Sequence, residues 1–207
     1  FEDPTIRAAV SNPLPVDGGQ DAETIRDMKK RMQKELSELN FLDVRFGIRV
    51  EEGENPGVDG WDDVEFLIST NPGEPVKPLG KIASGGELSR VMLAIKTVLA
   101  DQDSIDTVIF DEIDTGISGR TAQRVSEKLA LIGRSRQVTC ITHLAQLAAM
   151  ADSHYCIEKQ AVNGETQTRI RRLTEEEVPM ELARILGGAE ITDAVLDNAR
   201  EMKRLAV

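Results

Sequence analysis

The sequence predicts an α/β chain: a mainly parallel sheet flanked by helices, with one antiparallel hairpin. Three observations carry that prediction. Two short apolar runs, Thr107–Phe110 and residues 138–141, are joined by a helical stretch over about 118–132. That is the spacing of a βαβ unit, with parallel strands and a right-handed crossover. Both runs lack polar alternation, as expected of strands covered by helices on both faces. Nearer the C-terminus, Asn163-Gly164 separates two further strand-like runs, 154–158 and 167–173, with the chemistry of a tight hairpin turn.

The remaining elements follow from periodicity. Residues 1–20 hold Pro4, Pro13, Pro15, Gly18 and Gly19, and read as a linker or irregular structure. From 21 to 40 the apolar residues Ile25, Met28, Met32, Leu36 and Leu39 recur at helical steps between charges, which predicts an amphipathic helix. It either lies on the domain or ends a coiled coil. Residues 1–40 are therefore set apart from a lobe spanning 41–207. Alternation predicts strands over 44–50 and 64–68 with a polar, Gly-rich loop at 51–60. Leu88, Val91, Met92, Ile95, Val98 and Leu99 predict a helix over 87–100. A short helix is expected at 143–151. Two more, at 175–186 and 192–205, are separated by Gly187-Gly188.

Bulk composition narrows the class. The chain has 207 residues, 40% of them hydrophobic but only 3% aromatic, so aliphatic side chains must fill its core. A formal net charge of −11 disfavours non-specific attraction to nucleic acid or anionic membrane. Cys140 and Cys156 both sit in apolar runs and are expected to be free thiols in a reducing compartment. No apolar run reaches membrane-spanning length and no signal peptide is evident, which predicts a soluble cytoplasmic protein. The first residue is Phe1, and the chain is expected to be a piece of something longer.

Three motifs carry the chemistry. Ser84-Gly85-Gly86-Glu87 opens the 87–100 helix. Ser-x-x-Glu alone is a capping box. The paired glycines go beyond that, because each weakens a first turn by roughly 1 kcal/mol relative to Ala. They let another surface come close to N–H groups at a positive dipole end, where phosphate is the natural occupant. Asp111 and Glu112 directly follow the Thr107–Phe110 run. In open α/β sheets that is where ligands bind, and neighbouring carboxylates there call for a cation or a proton. The first acid suits Mg²⁺ and the second an attacking water. Asp114 either caps the following helix, as Ser118 could, or faces a neighbouring subunit beside the nucleotide. His143 ends the next parallel strand, near Glu112, where it can bond a terminal phosphate or a water. His154 has no such context and reads as structural. No Gly-x-x-x-x-Gly-Lys-Ser/Thr loop occurs. Residues 73–81 end in Gly80-Lys81, but Pro75 and Ile82 stand where a glycine and a hydroxyl are needed.

Residues 83–90 resemble the signature motif of ABC-type ATPases in its SMC-like form, with Glu87 where transporters use Gln and Ala83 where they usually carry Leu. Ile109-Phe110-Asp111-Glu112 and the 113–119 stretch resemble the Walker B motif and D-loop of the RecN family of bacterial DNA repair proteins. Thr142-His143-Leu144 and 181–188 resemble that family's H-loop region and C-terminal helix. Residues 1–20 match no feature of the family. The resemblance implies the C-terminal part of an ABC/SMC-like P-loop ATPase head that is split in sequence by a long coiled coil, with Walker A on an N-terminal segment. It further implies ATP and Mg²⁺ held between two heads. Ser84, Gly85, Gly86 and Glu87 would face the opposite subunit's nucleotide, with Asp114 at the interface. Asp111 would serve the metal, and Glu112 and His143 catalysis. DNA, a recombinase and a nucleoid-associated, cytoplasmic setting in double-strand break repair are implied in the same way. Two other readings stand beside it: a nucleotide-binding subunit of an ABC transporter, and a non-catalytic module that binds a partner through its helices.

Overall fold

The computed structural model describes residues 20–41, 43–57, 60–82, 84–100, 105–162, 165–188 and 190–206. The linker expected over 1–20 falls almost wholly outside these residues, as do Ala83 and the Asn163-Gly164 turn.

Helix α1, Gln20–Glu38, is the amphipathic segment. Met32, Leu36 and Leu39 are fully buried, because steps of four and three keep them on one face. That face packs on strand β1, Arg45–Gly57, and on helix α2, Gly85–Val98. Arg31 Nη2 adds a polar tie, donating to the Val98 carbonyl at 2.6 Å. Strand β1 pairs antiparallel with β2, Gly60–Ser69, so that Phe46 lies opposite Ile68 and Ile48 opposite Phe66. The loop expected at 51–60 is thus largely strand: the ladder continues through Glu51↔Asp63 and Glu52↔Asp62 before its register shifts. Polar composition did not break it, because the ladder is held by backbone hydrogen bonds and the exposed residues Glu51 and 61–64 need no apolar face. A two-residue strand β3, Lys77–Pro78, adds to β2. It lies inside the 73–81 stretch that only superficially suggested a phosphate loop.

The expected βαβ unit is present. Strand β4, Thr107–Phe110, leads through helix α3, Gly119–Gly133, to β5, Gln137–Cys140, and the two strands pair in parallel. Helix α4, Ala145–Ala149, follows. Strands β6, Tyr155–Val162, and β7, Glu165–Arg172, form an antiparallel hairpin, and helices α5, Val178–Gly187, and α6, Asp193–Leu205, close the chain. Among the described residues, parallel pairing is confined to β4 and β5.

Two expectations need correction. The β4–β5 sheet is not covered on both faces. Phe110 is buried under α2 and α3, but Ile109 is 68% exposed and Ile141 is also exposed. Among the described residues nothing covers that outer face. The buried face of α2 is also shifted from the one predicted: Leu93 and Ala94 are buried, whereas Met92 is exposed. The helix is gripped by α1 on one side and α3 on another, so its apolar stripe is wider than a single contact requires.

One core runs from α1 through β1, β2, α2 and α3 to β4. A smaller one gathers α4, the base of the β6–β7 hairpin, α5 and α6. Cys140 is partly buried, Cys156 is buried, and both thiols are free.

Candidate nucleotide site

Parallel pairing decides which loops meet. Phe110 lies beside Cys140 in the register, and the ladder runs one step further, with Ile141 N donating to the Phe110 carbonyl at 3.0 Å. Both strands therefore release their loops from the same sheet edge. Asp111 and Glu112 leave one strand, and Thr142 and His143 leave its neighbour.

The turn after β4 is tightly fixed. Glu112 has a left-handed backbone, φ 57°, which a bulky residue adopts only when its surroundings impose it. Its N–H is held by Asp111 Oδ1 at 2.9 Å, and its carbonyl accepts from Thr115 N at 3.0 Å. The start of α2 packs directly on this turn. Ser89 Oγ donates to the Asp111 carbonyl at 2.7 Å. A Cβ on Gly86 would come within 2.9 Å of both the Glu112 carbonyl oxygen and Thr115 Cβ, and a Cβ on Gly85 would run into Glu112 Oε2. The paired glycines thus answer first to a surface of the same chain. Gly86 is buried there, while Gly85 remains exposed. Ser84 caps the helix, its Oγ accepting from Glu87 N at 3.4 Å.

Asp114 is buried within its own chain, against the loop after β5. It is 2% exposed, and its Oδ2 accepts from Thr142 Oγ1 at 2.5 Å and from His143 N at 2.8 Å. The same oxygen lies 3.0 Å from His143 Nδ1. The turn that carries Asp114 folds inward under the β5 loop, which offers the carboxylate those donors. Capping of α3 does not use Asp114, and Ser118 makes no side-chain cap bond. His143 itself is 73% exposed. Thr142 Oγ1 also accepts from Leu144 N at 3.0 Å, so one hydroxyl ties Asp114 to the start of α4.

Sequence reasoning missed Arg90. It is buried under the Phe41 ring, its guanidinium carbon 5.5 Å from the ring centroid. Its Nη1 donates to the Thr115 carbonyl at 2.8 Å and the Ile113 carbonyl at 3.4 Å, pinning α2 to the turn after β4. Burial pulls this guanidinium below its usual range, though it stays charged. Its position one helical turn after the buried Gly86 was the available signal. Thr142 was visible only as part of a motif. Cys140, beside this edge, has its thiol pushed up to about 12, by burial first and then by the charges of Asp114 and Asp111. His154 bonds the Ala148 carbonyl through Nε2 at 2.7 Å, and burial lowers its pKa.

Asp111 and Glu112 are exposed. Among the described residues no three His, Cys, Asp or Glu side chains gather as a metal cage. Mg²⁺ does not need one, since it commonly takes one or two carboxylates together with substrate phosphates. Asp111 therefore fits such a role.

No family model matches the chain. It is 46% identical over 185 residues to the DNA repair protein RecN of Halalkalibacterium halodurans, an alignment covering 89% of this chain and 33% of that protein. It is 51% identical over 147 residues to the RecN of Bacillus subtilis, covering 71% of this chain and 26% of the relative. The chain thus spans about a third of the length of the curated relatives it matches. Among solved structures it resembles an Smc head domain with a coiled coil and joint from Pyrococcus yayanosii. The TM-score is 0.51 at 23% identity, over 77% of this chain and 29% of that one. That likeness shows the fold alone, the α/β architecture of an Smc head domain. By sequence the chain is a RecN relative, matching the C-terminal part of those proteins.

Proposed function

We propose that this chain is the C-terminal half of an ATPase head that works in recombinational repair of DNA double-strand breaks. One observation carries the reading. The Asp111–Glu112 pair and His143 leave adjacent parallel strands at one edge, with the Ser84-Gly85-Gly86 helix start packed on the same turn. In this reading residues 41–207 form the lobe, and 1–40 are a linker and helix leading toward a coiled coil. Walker A comes from an N-terminal segment. The exposed Ile109 and Ile141 face offers it an apolar seat, and among the described residues β4 pairs only with β5, and β6 only with β7.

Within the completed site, Asp111 holds Mg²⁺, which when bound neutralises charge on the phosphates of ATP. Glu112 orients the attacking water, and His143 offers a ring nitrogen to water or phosphate. Ser84, Gly85 and Glu87 present the helix start to a nucleotide carried by a second copy. Gly86 shapes that helix start from beneath. ATP thereby joins two heads, and hydrolysis parts them. DNA and a recombinase are the wider partners, in the bacterial cytoplasm on the nucleoid. The name of the relatives, DNA repair protein, supports that setting. So do the identities of 46% and 51% to RecN proteins. Among the described residues no helix is long and apolar enough to cross a membrane.

The test is to supply an N-terminal head segment carrying a Walker A loop and measure ATP hydrolysis. Glu112→Gln should retain ATP binding, accumulate as a nucleotide-bound dimer in size-exclusion chromatography, and lose turnover by at least about a hundredfold. Turnover near that of the unaltered head removes Glu112 from its role.

A further inference from the structure

Asp114 is the most thoroughly committed polar side chain at this edge. It is a carboxylate buried to 2% exposure whose Oδ2 meets Thr142 Oγ1, His143 N and His143 Nδ1. A buried acid costs several kcal/mol unless its charge is met by good donors, so the pairing is specific. A hydroxyl and a backbone N–H can only donate to a carboxylate. They fix Oδ2 in place before the imidazole is considered. The ring nitrogen facing that same oxygen must then carry a proton to make a favourable contact. The ring is otherwise exposed, so this contact is the one that selects its tautomer among the described residues.

We propose that Asp114 is a positioning residue for His143: its carboxylate holds the imidazole with Nδ1 protonated and leaves Nε2 as the nitrogen that meets water or phosphate. This rests on the reading of His143 as a residue of the nucleotide site. It replaces direct contact between Asp114 and nucleotide or neighbouring subunit with action through His143. An imidazole held in the wrong tautomer loses catalytic function even when its position is unchanged. Asp114 comes from the turn after β4 and His143 from the loop after β5. The bond therefore also fixes the spacing between Glu112's turn and the histidine.

The chain has two histidines, so long-range ¹H–¹⁵N spectra of its imidazoles resolve each, with His154 as internal control for folding. His143 in the unaltered chain should show the Nδ1–H form. Asp114→Ala should release it to the Nε2–H form that free imidazole side chains prefer, with the His154 signal in place. Asp114→Asn keeps an acceptor oxygen and should keep the Nδ1–H form in most molecules. In the head completed with a Walker A segment, Asp114→Asn should keep kcat within about threefold, and Asp114→Ala should lower it by about tenfold with KM for ATP changed less than about twofold. Combining Asp114→Ala with His143→Ala should add no further loss. A predominantly Nε2–H His143 in the unaltered chain overturns the proposal, whatever the ATPase assays give, and needs no variant to fold. Normal kcat in Asp114→Ala, with its His143 ring in the Nε2–H form, overturns the catalytic part. Failure of Glu112→Gln to block turnover would instead strike at the nucleotide-site reading and leave the spectra unaffected.

Discussion

Gly86 shows how one missing methyl group supports this edge. Helix propensity alone favours Ala there, yet a Cβ would stand 2.9 Å from the Glu112 carbonyl oxygen and from Thr115 Cβ, closer than side chains pack. Neither neighbour can yield easily. The Glu112 backbone is already left-handed, and the Thr115 carbonyl is tied to the buried Arg90. Overpacking outweighs propensity, so Gly86→Ala should destabilise the chain by about 1–3 kcal/mol, read from urea or thermal unfolding. An unchanged or raised midpoint would show that the α2 start and the turn after β4 are not in this contact. Gly85 sits at the exposed end of the same seam, where the clash is with the far end of the flexible Glu112 side chain. Its substitution should move Glu112 more than it moves stability.

At the scale of elements, α1 is fastened to the lobe by more than its apolar face. Lys128 of α3 is 9% exposed and pairs with Glu35 and with Glu38 of α1, the latter at 2.8 Å. Burial pulls the Lys128 ammonium down, but its bonds to the two carboxylates outweigh that and hold it above its usual value. The Lys128 bond holds the Glu38 carboxyl below its own. The signs follow. A raised lysine adds stability that is complete below 10.5 and fades as pH rises past it. A depressed carboxyl adds stability that is complete above 4.5 and fades as pH falls below it. The clamp therefore works across the neutral range. Lys128→Ala leaves two carboxylates facing each other and should cost about 2 kcal/mol near neutrality, a value reduced from the fully buried case because Glu38 is partly solvated. The difference from the unaltered chain should shrink below about pH 4. Equal unfolding midpoints for both proteins at neutral pH would rule the clamp out.

At the scale of the whole molecule, the parallel sheet is covered on one face only by the described residues. Its inner face rests on the main core, whereas Ile109 and Ile141 project outward beside strand edges with no partner among the described residues. The chain alone should hydrolyse no ATP. Adding a Walker A segment should slow amide exchange in β4 and β5 by about tenfold or more, measured by mass spectrometry with and without the segment. Exchange that does not change would argue for another occupant of that face.

The sequence by itself determined the βαβ unit, the hairpin near the C-terminus and the amphipathic α1, because periodicity and turn chemistry are local. It also put Asp111, Glu112 and His143 on one rim, since parallel strands joined by a helix must end on the same side. Other features depended on tertiary structure because they join residues far apart in the chain. The glycine pair met a turn of its own chain, and Asp114 turned inward to the Thr142–His143 loop. Arg90 became the buried tie between α2 and that turn, and the outer face of β4 and β5 stayed uncovered. Composition registers that a residue is charged or small. Which atoms stand opposite it, and so whether a carboxylate faces a neighbouring subunit or the backbone behind it, is settled only when the elements pack.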